Sequence, residues 1–190
     1  MSEGTPTEKG LKLDAQTALD YITNQETLSV TPIIFYGQSL GGAVAINLAA
    51  DNKHVPAALI LENTFLSVKS LIPHLVAPLA FLDFLLHQHW NSAERLATLP
   101  ADIPILFLAG EIDEVVPPSQ MVALKAIANN RQSGRGKKHT TWKSFAKGAH
   151  NDTVAQTGYF DALLKFVTGE VEKTESGSKA GGRGARFVNK

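Results

Sequence analysis

In FYGQSLGGA, residues 35–43, one serine stands two residues after one glycine and two residues before another. A G-x-S-x-G pattern alone is a weak signal; its setting strengthens it. An apolar run, TPIIFYG (31–37), precedes it, and a run rich in small residues, LGGAVAINLAADN (40–52), follows. A serine on a sharp strand-to-helix turn has strained dihedrals, and side chains two residues to either side would collide. Gly37 and Gly41 are expected to remove them, and Gly42, Ala43 and Ala45 to let the helix lie close to the sheet. The turn puts the Ser39 hydroxyl at a helix N-terminus, where developing negative charge is favoured. The backbone N–H of Leu40 is the expected oxyanion donor.

A serine nucleophile needs a base, and the base needs an acid to orient it. AGEIDEVVPP (109–118) follows a third apolar run, so Asp113 falls on a loop at a strand's carboxyl end, where parallel sheets place their sites. KGAHND (147–152) follows a fourth, weaker run and carries His150 just before the last helical segment. The order Ser39, Asp113, His150 is the one expected of a nucleophile on such a bend. Each residue has a plainer reading. Asp113 could cap a turn before Pro117, with Glu111 or Glu114 as the acid, and His150 could be a helix-start residue beside Asn151 and Asp152.

The elements that must position these groups alternate. Thr5 as cap, Pro6 at the first helical position and Glu8 in a capping box predict a helix over 6–23, with Leu11, Ala15, Leu19 and Ile22 on one face. PAALILEN (56–63), IPILFLAGE (103–111) and HTTWKSF (139–145) read as strands, and 119–130 and 153–167 as helices, the last stopping at Gly169. Continuous apolar strands alternating with helices predict an α/β fold with about four parallel strands covered on both faces. A longer helical insertion spans 66–98, and the polar, Gly-rich stretch 170–190 reads as a disordered tail.

Composition excludes several function classes. Eighteen basic residues balance eighteen acidic ones, which argues for no nucleic acid partner. RQSGRGKKHTTWKSFAK (131–147) carries six basic residues and reads as a solvated loop leading into a strand. With no cysteine, there is no disulfide, thiolate metal site or thiol nucleophile. HQH (87–89) resembles a metal pair but has no third ligand at a recognisable spacing, so no metal site is expected. The most apolar stretch, 71–86, is too short and too interrupted by Pro73, His74, Pro78 and Asp83 to span a bilayer.

IIFYGQSLGGAVAINLA, LILENTFLSV, PILFLAGEIDEVVPP and KGAHNDT resemble the bud-emergence type of α/β-hydrolase-domain protein over nearly all of residues 1–168. The resemblance implies a Ser39, Asp113, His150 triad, carboxylic ester or thioester bonds in a small-molecule or lipid-like acyl substrate, no cofactor, and lid-like helices over the site at 66–98. Relatives are usually membrane-anchored. In the family pattern four strands precede the part matched here, including a glycine-rich turn that supplies a second oxyanion amide. On that pattern residues 1–169 are the C-terminal part of the α/β-hydrolase fold. One missing donor costs on the order of 3 kcal/mol of transition-state stabilisation, so a truncated chain is expected to turn over weakly. The run PIIFYG would then be a bare apolar edge, and a non-catalytic form binding a partner strand there is the alternative expectation.

Overall fold

A computed structural model describes residues 6–72, 88–131 and 139–171. Four strands, β1 (Ile33–Gln38), β2 (Pro56–Glu62), β3 (Ile105–Gly110) and β4 (Thr140–Phe145), form one parallel sheet in the order β1-β2-β3-β4. Each connection carries helix: α2 (Leu40–Asp51) after β1, α3 (Val68–Leu71) and α4 (Ser92–Ala97) after β2, and α5 (Pro118–Asn129) after β3. Parallel neighbours need such crossovers, which is why apolar runs and helical runs alternate in the sequence.

Side chains leave a strand on alternate faces, and each face has its own cover. On one face Leu59, Leu61, Ile105 and Phe107 are buried with Leu19 of α1 (Glu8–Thr23), Ile46 of α2 and Leu124 of α5. On the other, Ala58, Ile60, Leu106 and Leu108 pack with Tyr159 and Phe166 of α6 (Tyr159–Phe166). β3 is buried at all six positions, as a central strand covered on both faces must be. Among the described residues β1 and β4 are the sheet's edges.

Three boundaries differ from the sequence reading. α1 starts at Glu8 with Thr7, not Thr5, as its cap; the Thr7 hydroxyl oxygen accepts the Gly10 N–H at 3.0 Å. Glu8 closes no capping box and instead accepts the backbone N–H groups of His89 and Trp90 and pairs with Lys12 at 2.6 Å. The last helical segment is broken: a 3₁₀ turn at Thr153–Ala155, then α6 entered through Gly158 at φ 84°, then a π-helical turn at Val167–Val171 that runs past Gly169.

Arg131, the first residue of the basic run, is not solvated. Its guanidinium is buried against the Ala128, Pro100 and Ile103 carbonyls, and burial pushes it down to about 10, with Asp102 opposing. Residues 132–138, most of the presumed tail (172–190) and the middle of the insertion (73–87) lie outside the described residues. Among the described residues no helix is long and apolar enough to cross a membrane.

Candidate active site

The sharp bend after β1 is built by what its neighbours lack. Ser39 has φ 52° and ψ −122°, a left-handed conformation that costs a non-glycine residue about 1–3 kcal/mol and persists only where surroundings impose it. Here the Ser39 N–H donates to the Glu62 carbonyl at 2.9 Å, and the Thr64 hydroxyl donates to the Ser39 carbonyl at 2.7 Å. A Cβ on Gly37 would lie 2.1 Å from the Gly41 carbonyl oxygen, and one on Gly42 would lie 2.6 Å from the Thr64 side chain. Gly41, expected from the sequence to relieve crowding, relieves none among the described residues: a Cβ there meets no atom within 4 Å. The crowded pair is therefore Gly37 and Gly42. Leu40 opens α2, so its N–H is one of the amides with no acceptor inside the helix.

Asp113 and His150 come together on the far side. The His150 Nδ1 lies 2.8 Å from Asp113 Oδ2, with both residues buried. Asp113 Oδ1 accepts the backbone N–H groups of Val115 at 2.9 Å and Val116 at 2.7 Å. The turn-capping role and the pairing role are thus filled by one carboxylate, each oxygen taking one. A buried carboxylate needs such partners, and Asp113 has two backbone N–H groups and the His150 ring nitrogen. Of the alternative acids, Glu111 is exposed, and Glu114 Oε2 takes the His150 backbone N–H at 3.2 Å rather than the ring. Among the described residues no hydrogen bond joins the Ser39 hydroxyl to the His150 ring; such contacts often tighten only when substrate is bound.

The two loops meet because β3 and the loop after β4 touch at glycine. A Cβ on Gly110 would lie 2.4 Å from the Gly148 carbonyl oxygen, and the Ile112 N–H donates to that same carbonyl at 3.1 Å. Three residues of this end of the sheet went unnoticed in the sequence. Asn63, buried at φ 42°, spans the ends of β2 and β3 and the histidine loop. Gln38, the residue before Ser39, reaches the His150 carbonyl. Glu62, also buried, accepts the hydroxyls of Tyr36 at 2.6 Å and Tyr159 at 2.5 Å. Burial first, and then the Glu62 carboxylate, hold both phenols above the usual tyrosine range. The available signal was position: polar residues ending an otherwise apolar run in LILEN need a buried use at the strand's carboxyl end.

The described limbs of the insertion border this same end. Val68, Leu71 and Trp90 pack with Phe65, Ala43 and Val116, and with Leu40 at the bend. Gln120 of α5 ties the outgoing limb down, its Oε1 accepting the Leu66 N–H and the Ser70 hydroxyl.

The family model described as serine aminopeptidase, S33, matches residues 6–98. Protein bem46 of Schizosaccharomyces pombe is 44% identical over 168 residues, covering 87% of this chain and 53% of that protein. The alpha/beta hydrolase domain-containing protein WAV2 of Arabidopsis thaliana is 36% identical over 182 residues, covering 87% and 56%. A crystal structure of an alpha-beta hydrolase from Vibrio vulnificus superposes with a TM-score of 0.64 at 25% identity, covering 86% of this chain and 58% of that one.

The chain has the α/β-hydrolase fold.

The bud-emergence resemblance read from four sequence blocks agrees with the relatives found. This α/β-hydrolase chain spans about half the length of the curated relatives it matches. In its fold the carboxyl ends of parallel strands carry the chemistry, and Ser39, Asp113 and His150 all follow such ends, those of β1, β3 and β4.

Proposed function

We propose that this protein is a serine hydrolase that cleaves carboxylic esters or thioesters through an acyl-enzyme, with Ser39 as nucleophile, His150 as base and Asp113 as the residue that orients it. The observation that carries the reading is the buried Asp113–His150 pair, closing at 2.8 Å at the same end of the sheet as a serine held at φ 52°. The Asp113 carboxylate fixes the proton on His150 Nδ1, leaving Nε2 to take the Ser39 proton as Oγ attacks the acyl carbon. The tetrahedral oxyanion is met by the Leu40 N–H. Collapse expels the alcohol or thiol, which leaves with the proton from Nε2. Water, deprotonated at the same nitrogen, then adds to the acyl-enzyme and frees the acid.

A fluorophosphonate probe tests this directly. Ser39 should be labelled, and Ser39→Ala should lose both the label and hydrolysis of a p-nitrophenyl ester and an S-acyl thioester. Labelling elsewhere, or an unchanged Ser39→Ala variant, overturns it. Cleavage of an aminoacyl anilide in place of either ester would keep the nucleophile and change the substrate class.

A second reading is favoured by one observation. β1 hydrogen-bonds on one side only among the described residues, beside a groove of about 390 Å3 lined by Ile22, Ile33, Phe35, Gly41, Val44 and Leu48. A non-catalytic role would use this edge to take up a partner strand. Association that Val44→Lys abolishes, seen by sedimentation, supports it; a monomer at all concentrations speaks against it.

A further inference from the structure

We propose that Gln38 and Asn63 are positioning residues for His150, fixing the base relative to the serine by gripping its own backbone; the inference rests on His150 being the base. Two side-chain amides converge on one carbonyl. Gln38 Nε2 donates to the His150 carbonyl at 2.7 Å, and Asn63 Nδ2 donates to it at 3.0 Å. The backbone N–H of His150 goes to Glu114 and its ring to Asp113. The carbonyl, N–H and ring of this residue are thus held from three strand ends: β1 through Gln38, β2 through Asn63, and the loop after β3 through Glu114 and Asp113.

The Gln38 contact joins the residue immediately before the nucleophile to the base. Any slide of β1 against the histidine loop must break it, so it registers the two reacting groups directly. Asn63 does the same across the sheet. Its Oδ1 accepts the Gly110 N–H at 2.9 Å, while Nδ2 also reaches the Thr153 hydroxyl oxygen at 3.0 Å and the Ala149 carbonyl at 3.3 Å. One oxygen facing an N–H and one nitrogen among oxygens is a pattern that an amide in this orientation satisfies. Asparagine also tolerates the left-handed backbone at φ 42° that aims it inward. An aspartate would keep the Gly110 contact but turn a second carboxylate oxygen toward two carbonyls.

The test uses the 190-residue chain and two readouts: the low-field proton signal of the His150 imidazole N–H bound to Asp113, and the rate of Ser39 labelling by a fluorophosphonate. Asp113→Asn supplies the reference for a lost signal. Gln38→Met removes one donor at nearly constant volume and should shift or broaden the signal and slow labelling about tenfold, with KM for an ester little changed. Asn63→Asp should abolish the signal and slow labelling about a hundredfold, the loss expected of a group displaced by roughly 1 Å. A merely structural role would lower the melting temperature while leaving signal and labelling rate as in the parent, and that result overturns the proposal. If Asn63→Asp does not fold, Gln38→Met decides alone. If the parent is not labelled at Ser39, the triad reading fails and the proton signal decides the positioning: displaced in Gln38→Met it stands, unmoved it falls.

Discussion

Serine and histidine reach the same end of the sheet held by different means. The bend at Ser39 is enforced by close backbone packing: Gly37 and Gly42 permit an approach that no Cβ would survive, and the Glu62 carbonyl and the Thr64 hydroxyl lock the Ser39 backbone at the end of β2. The loop at His150 has local bonds at Ala149, to Asp152 and Thr153, but His150 itself is held from afar. It is suspended by side chains from elsewhere, Gln38, Asn63, Glu114 and Asp113, separated from it by between 36 and 112 positions in the chain. Steric exclusion is insensitive to small polar changes, whereas a suspended loop depends on each donor and acceptor. The bend should therefore fail by unfolding, and the loop by losing its aim.

The largest effect expected of breaking that contrast is on the loop side. Asp113→Asn retains shape but surrenders the ring's correct tautomer, so acylation should fall about 10³–10⁴-fold while the chain remains folded, read as labelling rate beside a circular dichroism melt. A variant that labels at the parent rate would remove Asp113 from the machinery.

On the bend side the loss is of stability. Gly37→Ala places a methyl against the Gly41 backbone, where nothing flexible can give way, and should cost about 3 kcal/mol or more in urea unfolding. Gly41→Ala sharpens the comparison: it has open space, and its stability should stay within about 0.5 kcal/mol of the parent. Equal losses at the two glycines would contradict the steric account of the bend.

The smallest effect concerns the return limb of the insertion, fastened to α1 by Glu8. Burial alone would raise the Glu8 carboxyl, but Lys12 and the N–H groups of His89 and Trp90 outweigh it and hold the group below the usual carboxylate range. A depressed carboxyl stabilises the fold above its unfolded value and ceases to as pH falls through the folded one. Melting temperature should thus decline faster below about pH 4.5 in the parent than in Glu8→Gln. The gap near neutrality should stay under about 1 kcal/mol because the pair is partly exposed. A parent and variant with superimposed pH profiles would show that this strap carries no weight.

Much of the framework was legible in the chain. The four runs became β1 to β4 within two residues at each end, most plainly β2 and β3, since a strand buried on both faces must be continuously apolar. The candidate serine, acid and histidine were legible too, because each follows directly from a strand's carboxyl end. Cap and boundary details were not. Thr7 displaced Thr5, and Glu8 was drawn from its own helix by amides some eighty residues away, a competition that no local pattern records. Gly41 misled for a related reason: the motif shows spacing, whereas crowding depends on what lies opposite each glycine, which at Gly42 is Thr64.

By itself the amino-acid sequence determined which segments could be strands, where a serine could be forced into a tight bend, and which acid and imidazole could follow it, since these rest on periodicity, glycine and local chain order. Only the tertiary structure decided that Asp113 rather than Glu114 meets the His150 ring, and that Gln38 and Asn63 hold that residue's carbonyl. The physical reason is reach. A hydrogen bond acts over about 3 Å, and which groups come within that distance is fixed by how strands far apart in sequence are laid side by side.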